Sequence, residues 1–309
     1  MIDKENNNSI LLSLNLLDIK DNKKYIKTIY AISNNIINNY QIFKLKKCSG
    51  GYRTIYKPSN ILKNIQRRIL TNILEKESIS RYAKAYHKGI SLIDNARFHV
   101  DKKIVLKLDI EEFFDSIDYS YVYKYCFTTY PKEIRTLLTS LCTYLGYLPQ
   151  GSPTSSYISN LVMKDFDEEL GFWCEKNKIS YTRYSDDMTF SGDFTPSEVI
   201  IKVRKLLHKL NLTLNDKKIR VIKNSKKQYI TGIVVNKKIS IDKAYKKKIR
   251  QEVYYINKYG LNSHLLRLNI KDRISYIKSL YGKILYVNQI EKNNLEFIKY
   301  RDILKQYLK

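Results

Sequence analysis

The feature that most restricts this chain is the placing of three aspartates at the ends of strand-like segments. Ile104, Val105, Leu106 and Leu108 make a short apolar run that closes on Asp109. Such a run reads as a buried strand with an acidic end. Farther along, Ser185-Asp186-Asp187 interrupts residues 179–191, which read as a hairpin with those three residues at its tip. Carboxylates from separate strands that meet at adjacent strand ends suit hard cations. Mg²⁺ takes oxygen ligands and usually keeps one or two protein carboxylates plus substrate phosphates. Two such ions about 4 Å apart clamp the attacking and leaving oxygens of an in-line phosphoryl transfer. Acidic adjacency alone says little. With 30 acidic residues among 309, composition gives about three adjacent pairs by chance. Four occur: Glu111-Glu112, Asp167-Glu168, Glu168-Glu169 and Asp186-Asp187. Glu111, Glu112, Asp167, Glu168 and Glu169 are expected on solvated faces.

Charge supplies the second restriction. Lys and Arg outnumber Asp and Glu by 56 to 30, a net +26. Residues 201–309 hold 28 of the basic and 7 of the acidic residues, an excess of +21, against +5 for residues 1–200. Lysine-rich composition explains part of the count but not this asymmetry, which points to a polyanion partner such as nucleic acid. No apolar run approaches the roughly 18 residues of a membrane span. The opening MIDKENNNSI is polar and acidic rather than a leader, so a cytoplasmic protein without a membrane partner is expected. Cys48, Cys126, Cys142 and Cys174 form no CxxC pair and read as reduced, small buried residues.

Periodicity places these features on elements. Residues 10–40 recur helically through Leu12, Leu16, Ile19, Ile29, Ile32 and Ile36. Ser49-Gly50-Gly51 marks a turn between strand-like residues 42–45 and 52–56, and Pro58 precedes a helical stretch through Leu74. Helices are expected over 119–144, from about 154 to 176, and over 196–210. Residues 228–236 and 238–241 are strand candidates separated by Asn236-Lys237. From Asp242 the chain reads as helix, with Ile249, Val253 and Ile256 on one apolar face and Ile274, Ile277, Tyr281 and Ile284 on another. No repeat and no Gly/Ser- or Pro-rich linker divides it, which favours one continuous multi-lobed fold.

Lys107-Leu-Asp109-Ile-Glu-Glu-Phe-Phe114 resembles the first palm motif of reverse transcriptases, and further blocks follow in that family's order. Leu148-Pro-Gln-Gly-Ser-Pro-Thr154 followed by Asn160-Leu161 resembles the second, with Ser156 where Pro is frequent. Tyr184-Ser-Asp-Asp187 resembles the Tyr-x-Asp-Asp turn, with Ser185 in place of the usual Ala. Leu214-Asn-Asp-Lys-Lys218 resembles the lysine-bearing motif that follows. Lys47-Cys-Ser-Gly-Gly-Tyr-Arg53 and the stretch from Pro58 through Gln66-Arg67 resemble fingers blocks. Six blocks in register over residues 41–235 are specific where any one would be weak. Asn95-Ala96-Arg97-Phe98-His99 and Ile230-Thr231-Gly232 resemble the Asn-Ala-x-x-His and Val-Thr-Gly motifs of the retron branch, Ile replacing Val in the latter.

The resemblance implies an α+β right-hand polymerase fold with fingers, an antiparallel-sheet palm and a helical thumb. The boundaries expected are 1–105 for N-terminal helices and fingers, 106–235 for palm with a helical insertion at 119–147, and 236–309 for a basic helical thumb. It implies an RNA-directed DNA polymerase using two Mg²⁺ at Asp109, Asp186 and Asp187, the last either a ligand or a support behind the ligands. It implies nucleotide contacts at Lys47, Arg53, Phe114, Gln150 and Gly151. An exposed basic loop, a core Phe and an ordinary turn are their structural alternatives. Lys218 or its neighbour Lys217 would protonate pyrophosphate. Asn95, His99, Thr231 and Gly232 would serve RNA recognition, although a lone His is more often structural.

The implied partners are a cognate non-coding RNA that is template and primer, its branched DNA product, deoxynucleoside triphosphates, a separate effector in anti-phage defence, and a host ribonuclease H. The 77 residues after Gly232 suffice for a thumb but not for a ribonuclease H domain as well. Another bacterial reverse transcriptase, intron-encoded or of abortive-infection type, and a non-catalytic RNA-binding module of the same fold are the competing readings. A membrane-surface protein accounts for the charge but for none of the motifs.

Overall fold

The computed structural model describes residues 2–46 and 50–308. In chain order it runs through α1 (Ile2–Ser13), α2 (Asn22–Asn34), β1 (Tyr40–Lys46), β2 (Tyr52–Pro58), α3 (Asn60–Asn72), α4 (Leu92–Arg97) and β3 (Ile104–Asp109). It continues with α5 (Tyr119–Tyr125), α6 (Lys132–Cys142), α7 (Ser155–Val162), α8 (Lys164–Lys176), β4 (Ser180–Tyr184), β5 (Asp187–Gly192), α9 (Pro196–His208) and β6 (Arg220–Lys223). The remainder is β7 (Tyr229–Ile230), β8 (Ile233–Val234), α10 (Lys243–Tyr259), α11 (Leu261–Arg267), α12 (Arg273–Ile290) and α13 (Leu295–Lys305). The mixture of helices with small sheets is the α+β class that the sequence leads one to expect.

The described residues group into two units. One comprises those within 1–90, 106–190 and 194–221, the other those within 91–105, 191–193 and 222–308. The first holds most of a four-stranded sheet in the order β4-β5-β3-β6. Leu106 and Leu108 of β3 and Met188 and Phe190 of β5 are buried in its core, with Leu138 of α6, Leu170 of α8 and Val203 of α9. This unit also carries the antiparallel β1–β2 hairpin, in register from Tyr40 opposite Pro58 to Lys46 opposite Tyr52. Cys126, Cys142 and Cys174 are buried free thiols, and burial pushes the last two up to about 12. Cys48 lies outside the described residues.

The second unit has two apolar clusters. Ile249, Val253 and Ile256 of α10 join Ile277, Leu280, Ile284 and Val287 of α12 and Phe297 and Leu304 of α13. The other combines Ala96, Val105, Ile230, Ile233 and Val235. Helix α10 starts where the Asp242 carboxylate accepts the Ala244 N–H at 2.6 Å and stops at Gly260, whose φ is 79°. An acidic cap and a left-handed glycine are ordinary helix punctuation.

Several expectations need correction. The helix expected over 119–144 is two, α5 and α6, divided at Phe127, whose φ is 58°, and at Pro131, the N-cap of α6. Proline disfavours a helical residue before it and lacks the N–H to continue one. The helix expected from 154 to 176 breaks at Met163 into α7 and α8. On α12 the buried positions include Leu280 and Val287, while Ile274 is 63% exposed. The turn expected at Asn236-Lys237 is present, with Val234 and Ser240 bridged antiparallel across it, but the strand expected over 228–236 is itself broken by a further turn at Thr231-Gly232. There Tyr229 pairs with Val234 and Ile230 with Ile233. Thr231 and Gly232 have φ of 46° and 85°, the two consecutive left-handed residues of a tight hairpin turn.

Candidate active site

The sheet of the first unit positions the acidic residues. Asp109 is the last residue of β3, Asp187 the first of β5, and Ser185-Asp186 is the two-residue connection from β4. β3 and β5 are sheet neighbours, so the two strand ends meet. The Ile110 N–H donates to the Asp186 carbonyl at 3.1 Å. The segment after α9 is fastened to the same end: Asn215 N–H donates to the Asp109 carbonyl at 2.9 Å, and Glu111 N–H to that of Thr213 at 2.9 Å. That fastening delivers Lys218, whose Nζ donates to both Asp109 carboxylate oxygens at 2.9 and 2.8 Å. Lys217, the other candidate, is exposed and absent from the cavity lining.

These groups open onto a cavity of about 480 Å³ lined in part by Asp109, Asp186, Lys218, Arg53, Phe114 and Gln150. Burial pushes the Asp109 carboxyl up despite the Lys218 ammonium, and the neighbouring Asp186 adds to the rise. Burial and Asp186 raise Asp187 as well. The bond to Asp109 raises Lys218 in turn. The site thus concentrates negative charge that the fold compensates only in part. Among the described residues, no group of three or more His, Cys, Asp or Glu side chains is placed to hold a metal ion. An all-oxygen, under-compensated carboxylate set still fits Mg²⁺, which keeps few protein ligands and completes its shell with water and phosphate.

Of the expected nucleotide-contact residues, Arg53 is exposed on β2 and Phe114 half-buried, both in the cavity wall, while Phe113 is core. Lys47 lies outside the described residues. Gln150 lines the cavity and its carbonyl accepts the Tyr56 N–H at 2.7 Å. Gly151, with φ of 119°, does not line it. A Cβ there would stand 2.7 Å from the Tyr56 carbonyl oxygen, so this glycine permits the close approach of β2.

The four residues expected to recognise RNA lie in the second unit. Asn95 and His99 are 1% and 0% exposed. His99 Nδ1 is 2.7 Å from Ser191 Oγ, and burial, with Lys102 nearby, pushes its imidazole down to about 3. Both side chains are inward-facing. Ala96 between them packs in one cluster with Ile230 and Ile233, which flank the Thr231-Gly232 turn. The two blocks, far apart in sequence, are therefore neighbours. The Thr231 hydroxyl is buried with no hydrogen-bond partner among the described residues.

Asp167, expected on a solvated face, is fully buried. Its carboxylate accepts from Arg183 Nη2 at 2.6 Å, Arg183 Nε at 2.9 Å and Tyr181 Oη at 2.8 Å. Arg183 Nη1 in turn donates to the Ser185 carbonyl at 2.9 Å, bracing the turn that carries Asp186. The apolar spacing of Phe166 and Leu170 around Asp167 on one helix was the available signal.

Comparison with known proteins identifies the family. Residues 44–235 match the family model described as reverse transcriptase (RNA-dependent DNA polymerase). The chain is 31% identical to the retron Ec86 reverse transcriptase of Escherichia coli, over 78% of this chain and 77% of that one. It is 32% identical to the retron Ec83 enzyme of the same species, over 70% and 75% respectively. It is 28% identical to the retron Mx65 enzyme of Myxococcus xanthus, over 79% and 62%. A strand-end aspartate cluster, a largely polar cavity beside it and a matching family domain converge: the chain belongs to the reverse transcriptases, as an RNA-directed DNA polymerase of the retron type.

Proposed function

We propose that this polymerase copies part of a cognate structured non-coding RNA into short single-stranded DNA branched from an internal 2′-hydroxyl of that RNA. We assign it to anti-phage defence in the cytoplasm, beside a separate effector protein, with template removal by a host ribonuclease H. The convergence of Asp109, Asp186, Lys218, Arg53, Phe114 and Gln150 on one cavity carries the catalytic part of this reading. The retron relatives support its retron type. Among the described residues no helix is long and apolar enough to cross a membrane.

Asp109 and Asp186, with Asp187 beside them, would hold two Mg²⁺. When bound, such ions lower the pKa of the attacking hydroxyl and neutralise the leaving pyrophosphate. The chain's own groups do the positioning. Arg53 offers a planar fork to the triphosphate. Phe114 packs under the sugar and leaves no room for a 2′-hydroxyl on the incoming nucleotide. Gln150 reaches the nascent pair, and Gly151 lets its loop lie against β2. Lys218 holds a proton within reach of the departing pyrophosphate. Asn95, His99, Thr231 and Gly232 shape the surface that reads the cognate RNA, the first two from inside. In functional terms residues 1–105 supply N-terminal helices and fingers, 106–235 the palm, and 236–309 the thumb.

The test is nucleic acid co-purifying with the protein expressed from its native locus, digested with ribonuclease and end-labelled. A discrete short DNA is expected, shifted by debranching enzyme and absent from the Asp186→Asn/Asp187→Asn variant. Activity on a generic primed RNA without such a product would retain the polymerase and remove the branched-DNA assignment.

A further inference from the structure

Tyr86 is 47% exposed and stands in the wall of the cavity that holds Asp109 and Asp186. Its backbone φ is 59°. A bulky side chain in the left-handed region is uncommon and persists only where the surroundings over-determine it. Here they do. Ala83 forms a parallel bridge with Arg183. Lys84 N–H donates to the Arg183 carbonyl at 2.7 Å, and Arg183 N–H to that of Tyr82 at 2.9 Å. The Ala85 carbonyl accepts Asn160 Nδ2 at 2.9 Å, and Asn160 Oδ1 accepts Arg183 Nη2 at 3.1 Å. Ala83 and Ala85 are fully buried.

The chain is thus locked up to the residue before Tyr86 and releases that ring into the cavity. There its hydroxyl lies 3.4 Å from Ser185 Oγ and its ring centroid 6.4 Å from that of Tyr184. Core packing does not account for a ring so exposed on so constrained a backbone. The cavity wall also holds Tyr52, Tyr56 and Phe114, but Tyr86 is the aromatic side chain beside the Ser185-Asp186 turn, so its ring is a flat apolar face presented next to the acids, where a nucleotide must sit. Every nucleobase has a π-face that stacks on such a ring without regard to sequence.

We propose that Tyr86 is a substrate-contacting residue whose ring packs against the nucleoside at the reacting end, an inference that rests on reading this cavity as the polymerase centre. Two nucleosides share that chemistry: the incoming deoxynucleotide and the primer-end nucleotide. Single-nucleotide incorporation on a primed RNA template, with the full chain, separates them. Tyr86→Ala and Tyr86→Leu are expected to lose about tenfold or more in kcat/KM, and Tyr86→Phe to stay within about twofold.

A raised KM for the deoxynucleotide at unchanged Kd for the primed template assigns the contact to the incoming nucleotide. A raised Kd at unchanged KM assigns it to the primer end. Both variants remaining within twofold of the parent in KM, kcat and Kd would overturn the proposal. So would an equal loss in Tyr86→Phe, which would trace the effect to the hydroxyl and Ser185. Thermal unfolding is recorded for each variant, and Tyr86→Leu, which keeps the bulk, decides if Tyr86→Ala does not fold. Asp186→Asn in parallel tests the underlying reading: retained incorporation there would remove the cavity from the reaction, whatever Tyr86 does.

Discussion

Arg183 and Asp167 are both fully buried, and a buried ion pair is tolerable only when each partner's remaining valences are satisfied. Here Tyr181, Asn160 and the Ser185 carbonyl complete the set. Arg183→Met leaves the Asp167 charge with one neutral donor, and the expected loss is about 3–5 kcal/mol of unfolding free energy. Asp167→Leu strands the guanidinium and costs a similar amount. The double variant removes both charges and is expected to be more stable than either single one. Urea midpoints of the four proteins measure this coupling, and strictly additive losses would refute it. His99 makes a different prediction. Its folded pKa of about 3 lies below the 6.5 of an unperturbed histidine, so the folded state refuses a proton that the unfolded state accepts. Its stabilising contribution is complete above about pH 6.5 and declines as pH falls toward 3. Between pH 7 and 5 the loss is about 2 kcal/mol. His99→Gln keeps a hydrogen-bonding group toward Ser191 without the titration, so its stability is expected to be flatter over that range in urea titrations at each pH.

At the scale of elements, the β1–β2 hairpin is placed by a contact that no propensity encodes. Tyr56 N–H bonds the Gln150 carbonyl, and Gly151 lies too close to the Tyr56 carbonyl for any side chain. Gly151→Ala therefore meets both a backbone clash and an unfavourable φ. It is expected to cost about 1–3 kcal/mol and to raise KM for deoxynucleotides, because Arg53 and Tyr56 ride on the displaced strand. Steady-state kinetics read the second effect, and an unchanged KM would show that the hairpin keeps its place without this contact. The strands β3, β4 and β5 were legible because an apolar run ending in Asp and a hairpin tip of Ser-Asp-Asp leave few arrangements. The splits at Phe127–Pro131 and Met163 were less so: both sit inside apolar patterns that continue across the break. The Thr231-Gly232 turn escaped because a β-branched residue is a poor candidate for a left-handed position. Asp167 was misplaced because its acidic neighbours, Glu168 and Glu169, are indeed exposed. Side-chain chemistry at strand ends can be read along the chain; partners that come from another element, such as Arg183 for Asp167, cannot.

Across the whole molecule the net charge of +26 is not one uniform coat. On α10 the structure divides the basic residues into two kinds. Lys246 donates to Glu291 at 2.7 and 3.0 Å, and Arg250 makes a two-pronged bond to Glu296 at 2.7 Å on each arm. Both side chains of the Lys246–Glu291 pair are only 15% exposed, and these contacts join α10 to the C-cap of α12 and the first turn of α13. Lys243, Lys247 and Lys248 on the same helix are exposed and make no ion pair among the described residues. The first kind should act on folding and the second on RNA. Each phosphate neutralised by a cation releases counterions, so log Kd rises with log salt by about 0.7 per contact on single strands and about 0.9 on duplex. Lys247→Ala/Lys248→Ala is therefore expected to lower the salt slope of cognate-RNA binding by about 1–2 and to leave thermal stability unchanged. Lys246→Ala should do the reverse, costing about 1.5–3 kcal/mol of stability while the slope stays put. Fluorescence anisotropy over a potassium chloride series, paired with urea unfolding, reads both quantities on the same preparations. An unchanged slope in the double variant would mean that the exposed lysines of α10 face away from the RNA, and that the polyanion surface lies on other elements of the basic C-terminal region.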